Sequence, residues 1–182
     1  QTVAAAGAAA AAGKGLKGAK AAKKTKPKKK NGLADTGSKS GKDSVDDIVK
    51  GVENGDILLS NNIQKGNYGE MKMDVYFKSQ GYERISLDRV TDLNAPTHQG
   101  IDGVYYKSNG HPPYIIGEAK YGSSKQGSTK DGMQMSDTWI NGSNRLVNAV
   151  GKDVADDILL EGYGRILVNI TSDGKVIIKN LD

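Results

Sequence analysis

The sequence predicts an α/β domain whose mixed sheet is flanked by helices, and three observations carry that expectation. Residues 100–107 and 114–121 are rich in Ile, Val and Tyr, and the run Ser108-Asn109-Gly110-His111-Pro112-Pro113 between them is turn chemistry, so the two segments pair antiparallel. Helix-like segments stand on both sides of this hairpin. A further β-rich run, 165–170, follows the second of them.

In chain order, residues 43–54 read as a short helix with Ser44 near its cap. Tyr68–Ser79 forms a helix that stops at Gln80-Gly81, glycine being a natural terminator. Tyr82–Leu87 alternates as a first strand, and the hairpin supplies the second and third. The Gly/Ser-rich stretch after the hairpin reads as a loop. Gln134–Val150 is mainly helical, with Asn141-Gly142 as a point of interruption, and Asp153, Asp156 and Asp157 mark a charged helix face before Ile158-Leu159-Leu160. Arg165–Ile170 is the fourth strand, and Lys175–Asn180 adds an edge strand after the turn Ser172-Asp173-Gly174.

The hairpin gathers chemistry. With Lys107 opposite Tyr114, Asp102 faces Ala119, and a slip of one residue still leaves it beside Glu118 or Lys120. Side chains alternate along a strand, so Glu118 and Lys120 share a face. Two carboxylates meeting in this way suit a hard divalent cation that keeps waters and a substrate phosphate in its shell. Mg²⁺ is the expected ion, with Mn²⁺ or Zn²⁺ as alternatives. Such an ion polarises a phosphoryl oxygen and lowers the pKa of bound water, while Lys120 would orient that water or offset developing charge. This is the chemistry of a metal-dependent phosphodiesterase. The plainer reading of the same residues is a turn aspartate and a surface ion pair between Glu118 and Lys120.

Asp102 followed by Glu118-Ala119-Lys120, between one helix and a later helix and strand, resembles the PD-(D/E)xK nuclease superfamily, whose core runs helix, three strands, helix, strand. The resemblance covers about residues 66–172 and implies a restriction-endonuclease-like αβββαβ core. One departure is Gly100-Ile101-Asp102-Gly103, where the family commonly has proline before the aspartate. The resemblance also implies a third carboxylate on the first helix, at Glu70, with Asp74 one turn further as the alternative. Asp102, Glu118 and Glu70 would then bind metal, and with Lys120 they make the catalytic set. Gln134, one turn before Asp137, would face the site from the second helix, where related nucleases often use a glutamine or a basic residue.

Other candidates surround this set. His98 stands just before the Asp102 strand, where it would touch substrate phosphate or simply be an exposed loop histidine. Lys125, Gln126 and Lys130 lie in the loop after the third strand and would hold a phosphate backbone, a solvated loop being the other reading. Trp139 and Tyr106 are of the type that stacks on bases, yet a tryptophan spaced with Ile140 and Leu146 belongs to a core.

The net charge of +5 is unevenly spread: residues 1–50 hold twelve lysines against four acids, and the remainder holds fourteen basic against seventeen acidic groups. Residues 1–42 form a low-complexity Ala/Gly/Lys segment expected to be a disordered basic linker, followed by the nuclease domain over 43–182. A lysine-rich arm binds polyanions without sequence preference, or acts as a spacer between modules. The absence of cysteine excludes disulfides and thiolate zinc sites and suits work in a cytosol. His98 and His111 lack the spacing of a metal pair. The Ala-rich run has its lysines after it, opposite to a secretory signal, and is too short to span a membrane; with Gln1 in place of an initiator methionine, it reads as part of a larger protein.

An Ala/Gly/Lys linker leading into Gly117-Glu118-Ala119-Lys120-Tyr121-Gly122 and Gln134-Met135-Ser136-Asp137-Thr138-Trp139 resembles the C-terminal nuclease toxins of bacterial polymorphic toxins, of the contact-dependent inhibition, Rhs and type VI effector kinds. That resemblance implies a DNA-cleaving endonuclease linked to a larger secreted carrier protein. It would act in the cytoplasm of a competing cell and be neutralised by a cognate immunity protein. Two other readings stay open. One is a toxin of the same fold that cuts RNA such as tRNA, since no base-reading motif separates the substrates. The other is a non-catalytic module that binds nucleic acid or a protein partner.

Overall fold

The computed structural model describes residues 44–182, and the expected linker over 1–42 lies outside them. Ser44 opens α1 (Val45–Glu53) with a reciprocal cap: its hydroxyl accepts from the Asp47 N–H, and the Asp47 carboxylate accepts from the Ser44 N–H. α2 (Asn62–Ser79) begins ahead of its expected start because Asn61 caps it, its side chain accepting from the Gln64 N–H at 2.9 Å. It ends at Gln80, and Gly81 adopts φ 80°, where a side chain is disfavoured.

After α2 come β1 (Glu83–Arg84), β2 (Gly103–Tyr106) and β3 (Tyr114–Tyr121), then the short hairpin of β4 (Ser128–Thr129) and β5 (Gly132–Met133). Three helices follow, α3 (Asp137–Asn141), α4 (Arg145–Val150) and α5 (Lys152–Glu161), and the chain closes with β6 (Tyr163–Ile170) and β7 (Val176–Asn180). The five-stranded sheet is ordered β1-β2-β3-β6-β7, with β3 antiparallel to β2 and parallel to β6, so the sheet is mixed. Side chains of β3 alternate between two cores. Ile115 joins Val49, Met71, Phe77 and Val168 on the α1–α2 face, while Ile116 joins Val104, Trp139, Ile140 and Ile158 on the α3–α5 face. A strand buried on both faces carries a continuous apolar run, and Tyr114-Ile115-Ile116 is one. Among the described residues no helix is long and apolar enough to cross a membrane.

Four local expectations are corrected. The hairpin pairs Tyr106 with Tyr114 and Gly103 with Gly117, one residue away from the expected register, so Asp102 comes level with Glu118 rather than Ala119. The shift follows from the connection, where the Lys107 N–H donates to the Pro113 carbonyl at 3.0 Å and leaves Lys107 outside the strand. β1 is only two residues long because the Ser86 hydroxyl takes the Val104 N–H at 3.0 Å in place of a backbone partner. The 134–150 stretch is helical only from Asp137 and breaks at a 3₁₀ turn, Gly142–Asn144, in which Ser143 and Asn144 are left-handed. Arg145 Nη1 closes that break by donating to the carbonyls of Trp139 at 2.8 Å and Gly142 at 3.1 Å. The Gly/Ser-rich loop, finally, contains the β4–β5 pair.

Asp74 ties α2 to the sheet. Its carboxylate is 5% exposed and accepts from Arg84 Nη1 at 2.6 Å, Arg89 Nε at 2.9 Å and the Tyr105 hydroxyl at 2.6 Å. The Tyr105 ring, stacked on Phe77 at 4.3 Å, crosses the paired glycines to get there. A Cβ at Gly103 would stand 2.5 Å from the Tyr105 hydroxyl, and one at Gly117 would stand 2.9 Å from Met73 Sδ and 3.3 Å from the Tyr105 ring. Both glycines beside the acidic residues thus clear space for an aromatic strut. Asp74→Ala leaves Arg84 and Tyr105 buried without their acceptor and is expected to destabilise the fold by about 3–5 kcal/mol, measured by urea denaturation.

Candidate active site

The residues of the site meet at the end of β3 that follows Gly117. Glu118 is 1% exposed; its Oε1 accepts from Lys120 Nζ at 2.6 Å and from Gln134 Nε2 at 2.6 Å, while Oε2 is buried with no hydrogen-bond partner. Lys120 reaches the same oxygen because residues two apart on a strand share a face. Asp102 lies just before β2. Its Oδ2 accepts from the Ala119 N–H at 2.9 Å, and its backbone carbonyl accepts from Arg84 Nη2 at 2.9 Å. The Asp74–Arg84 cluster therefore also holds the backbone that presents Asp102.

Glu70 comes from α2. The neighbouring Gly69 packs on β3, where a Cβ would make ordinary contact with Ala119 Cβ at 3.7 Å. Glu70 Oε2 and His98 Nε2 are 3.0 Å apart, and one ligand atom each from Glu70, His98 and Asp102 fall within 4.8 Å of one another. These side chains line a pocket of about 500 Å³ together with Lys120, Gln134 and Arg145.

The electrostatics follow from burial and crowding. Burial pushes the Asp102 carboxyl well above its usual range, the charges of Glu118 and Glu70 push it further, and the Ala119 N–H pulls it back. Burial also raises Glu118, against the opposing pull of the Lys120 ammonium. The hydrogen bond to Glu70 raises His98 and favours its imidazolium form, partly offset by burial. A carboxylate oxygen without a donor, beside two more carboxylates, fits a site made for a divalent cation.

No family model, curated protein or solved structure matches this chain.

Of the residues expected in the site, Glu70, His98, Asp102, Glu118, Lys120 and Gln134 line this one pocket. Gln134 does so from the segment after β5 rather than from a helix, correcting its expected setting. Gln126 supports it there by donating to the Gln134 carbonyl at 2.7 Å. Lys125, in the loop ahead of β4, and Lys130, at the β4–β5 turn, are exposed and do not line the pocket. Asp74, the alternative to Glu70, is spent in the cluster described above. Trp139 is core at 3% exposure, as expected, with the Arg145 guanidinium 4.6 Å over its ring. Among the charged residues that line the pocket, Arg145 is the one that the sequence did not single out. It pairs with Asp131 at 2.8 Å, across a separation that no local pattern reveals.

The raised Asp102 pKa has a signed consequence. Folding disfavours its charged form, so the metal-free protein carries a penalty at neutral pH that is lost as pH falls through the raised value toward the ordinary carboxylate range. Asp102→Asn removes that penalty and is expected to stabilise the metal-free protein by about 0.5–2 kcal/mol at neutral pH. The gain should shrink on acidification. Thermal melts in EDTA at about pH 7.5 and about pH 5 measure it, and added Mg²⁺ should stabilise the unsubstituted protein more than the variant.

Proposed function

We propose that the chain is a divalent-metal-dependent endonuclease with a restriction-endonuclease-like core that hydrolyses phosphodiester bonds of DNA. The buried, unpartnered Glu118 Oε2, in a pocket shared with Asp102 and Glu70, carries this reading. Such an oxygen is unfavourable until a cation, a proton or a water meets it, and a cation also offsets the neighbouring carboxylates. Glu70 and Asp102 each bring a carboxylate oxygen within 4.8 Å of the other and of a His98 nitrogen, and Glu118 lines the same pocket; such an oxygen-rich set suits Mg²⁺, with Mn²⁺ or Zn²⁺ as alternatives. When bound, such an ion supplies positive charge to phosphoryl oxygens and a lowered pKa to its water.

The protein's own groups have distinct tasks in this scheme. Gln134 and Lys120 both hold Glu118 Oε1, which leaves Oε2 without a protein donor. Lys120 keeps two further N–H donors for the attacking water or the charge that develops on phosphate. The Ala119 N–H fixes Asp102 on the strand that carries Glu118, so the two carboxylates move as one unit. The hydrogen bond to Glu70 favours the imidazolium form of His98, which in that form offers positive charge to a phosphate approaching the pocket.

The order α2, β1, β2, β3, a helical segment and then β6, parallel to the strand of Glu118, supports the restriction-endonuclease-like core. The wider reading, a toxin domain of a secreted effector neutralised by an immunity protein in bacterial competition, is supported by the sequence resemblance.

Incubation of the chain with plasmid DNA and with total RNA, each in Mg²⁺ and in EDTA, tests the proposal. The expected result is metal-dependent DNA cleavage that falls by about 10²-fold or more in folded Asp102→Ala and Lys120→Ala proteins. Cleavage of RNA alone keeps the site and changes the target. Undiminished activity in both variants, or binding without turnover, overturns the enzyme assignment.

A further inference from the structure

Beside the pocket that holds the carboxylates lies a second cavity of about 480 Å³, and the two share Gly66, Ala119 and Lys120 in their walls. Their chemistry differs sharply. The first is lined by Glu70, Asp102 and Glu118; the second contains no acidic residue and is lined by Lys65, Lys120, Asn62, Ser123 and Ser124.

Lys65 is the informative residue. It is half-buried, as are Lys72, Lys107 and Lys120. Each of the other three has a partner: Lys72 pairs with Glu53, Lys107 donates to the Gln80 carbonyl at 2.9 Å, and Lys120 pairs with Glu118 at 2.6 Å. Among the described residues Lys65 has no ion-pair or hydrogen-bond partner for its ammonium group. A half-buried lysine whose ammonium lacks a protein acceptor, at the wall of a cavity with hydroxyl and amide groups but no carboxylate, is complementary to an anion.

We infer that this second cavity is a phosphate subsite, in which Lys65 binds the backbone phosphate next to the one being cleaved. The inference rests on the nuclease reading. A nucleic-acid strand whose scissile phosphate enters the carboxylate pocket must continue past one of its walls, and the Gly66–Ala119–Lys120 wall leads directly to Lys65. Gly66 and Gly122 keep this passage low, since a Cβ at either would meet nothing within 4 Å and neither presents a side chain to the strand. Contacts of this kind position a strand and carry no base preference.

The test is steady-state cleavage of a duplex oligonucleotide by the full chain and by Lys65→Ala, Lys65→Glu and Lys65→Arg, over a range of salt concentrations. Lys65→Ala should raise KM about tenfold with kcat little changed, and the slope of log(kcat/KM) against log salt should become shallower by about 0.9. Lys65→Glu should be worse, Lys65→Arg should restore most of the loss, and Mg²⁺ titrated calorimetrically should bind all four proteins alike. Cleavage by Lys65→Ala with an unchanged KM and salt slope overturns the subsite and leaves the nuclease reading standing. A native chain that cuts no nucleic acid overturns the nuclease reading, and the subsite with it.

Discussion

The buried carboxylate of Asp74 holds this structure together. It lies on α2 and gathers Arg84 from β1, Arg89 from the following loop and Tyr105 from β2, so one group joins the first helix to the sheet edge. A charge this deep is tolerable only because its hydrogen-bonding capacity is met by two guanidinium groups and a hydroxyl. Its demands extend to the backbone. Tyr105 crosses the sheet only where Gly103 and Gly117 offer no Cβ, and Arg84 uses a second arm to hold the carbonyl of Asp102.

The acidic pocket stands in contrast to that cluster. Asp74 is surrounded by donors, whereas the half-buried Asp102 and the buried Glu118 have an ammonium, one side-chain amide and one backbone N–H between them. Glu118 Oε2 receives nothing. A fold that satisfies one buried carboxylate completely and leaves another open concentrates its unfavourable electrostatics in one place. Strain of this kind is characteristic of functional sites, where a ligand relieves it.

Rigidity and exposure divide the pocket's walls. Glu118, Lys120 and the N–H of Ala119 are on the central strand, flanked by β2 and β6, while Glu70 rides on a helix that packs on that strand beside Gly69. Gln134 and His98 come from loops, and each is steadied by a contact to one of the carboxylates. The central strand and the helix therefore carry Glu118, Lys120 and Glu70, and the loops carry groups that approach them from outside.

Much of the architecture was legible from local chemistry. The hairpin followed from β-rich runs around a Pro/Gly turn, the Ser44 cap and the Gly81 stop from their side chains, and the break at Asn141-Gly142 from poor helix formers. The meeting of Asp102 with Glu118 and Lys120 was legible too, because period-two alternation brings them together in any nearby register. What tertiary structure alone decided depended on residues far apart in the chain. Lys107 bonding to Pro113 set the register, Asn61 and Ser86 moved element ends, and the neutralisation of Asp74 left Glu70 as the carboxylate of α2 that faces the pocket. Pairing of His98 with Glu70, of Arg145 with Asp131 and of Gln134 with Glu118 joins positions whose spacing follows no helix or strand period. Sequence by itself determined which groups have acid, base and cation chemistry to offer; packing decided which of them meet, because desolvation and hydrogen-bond geometry act on distances in space rather than along the chain.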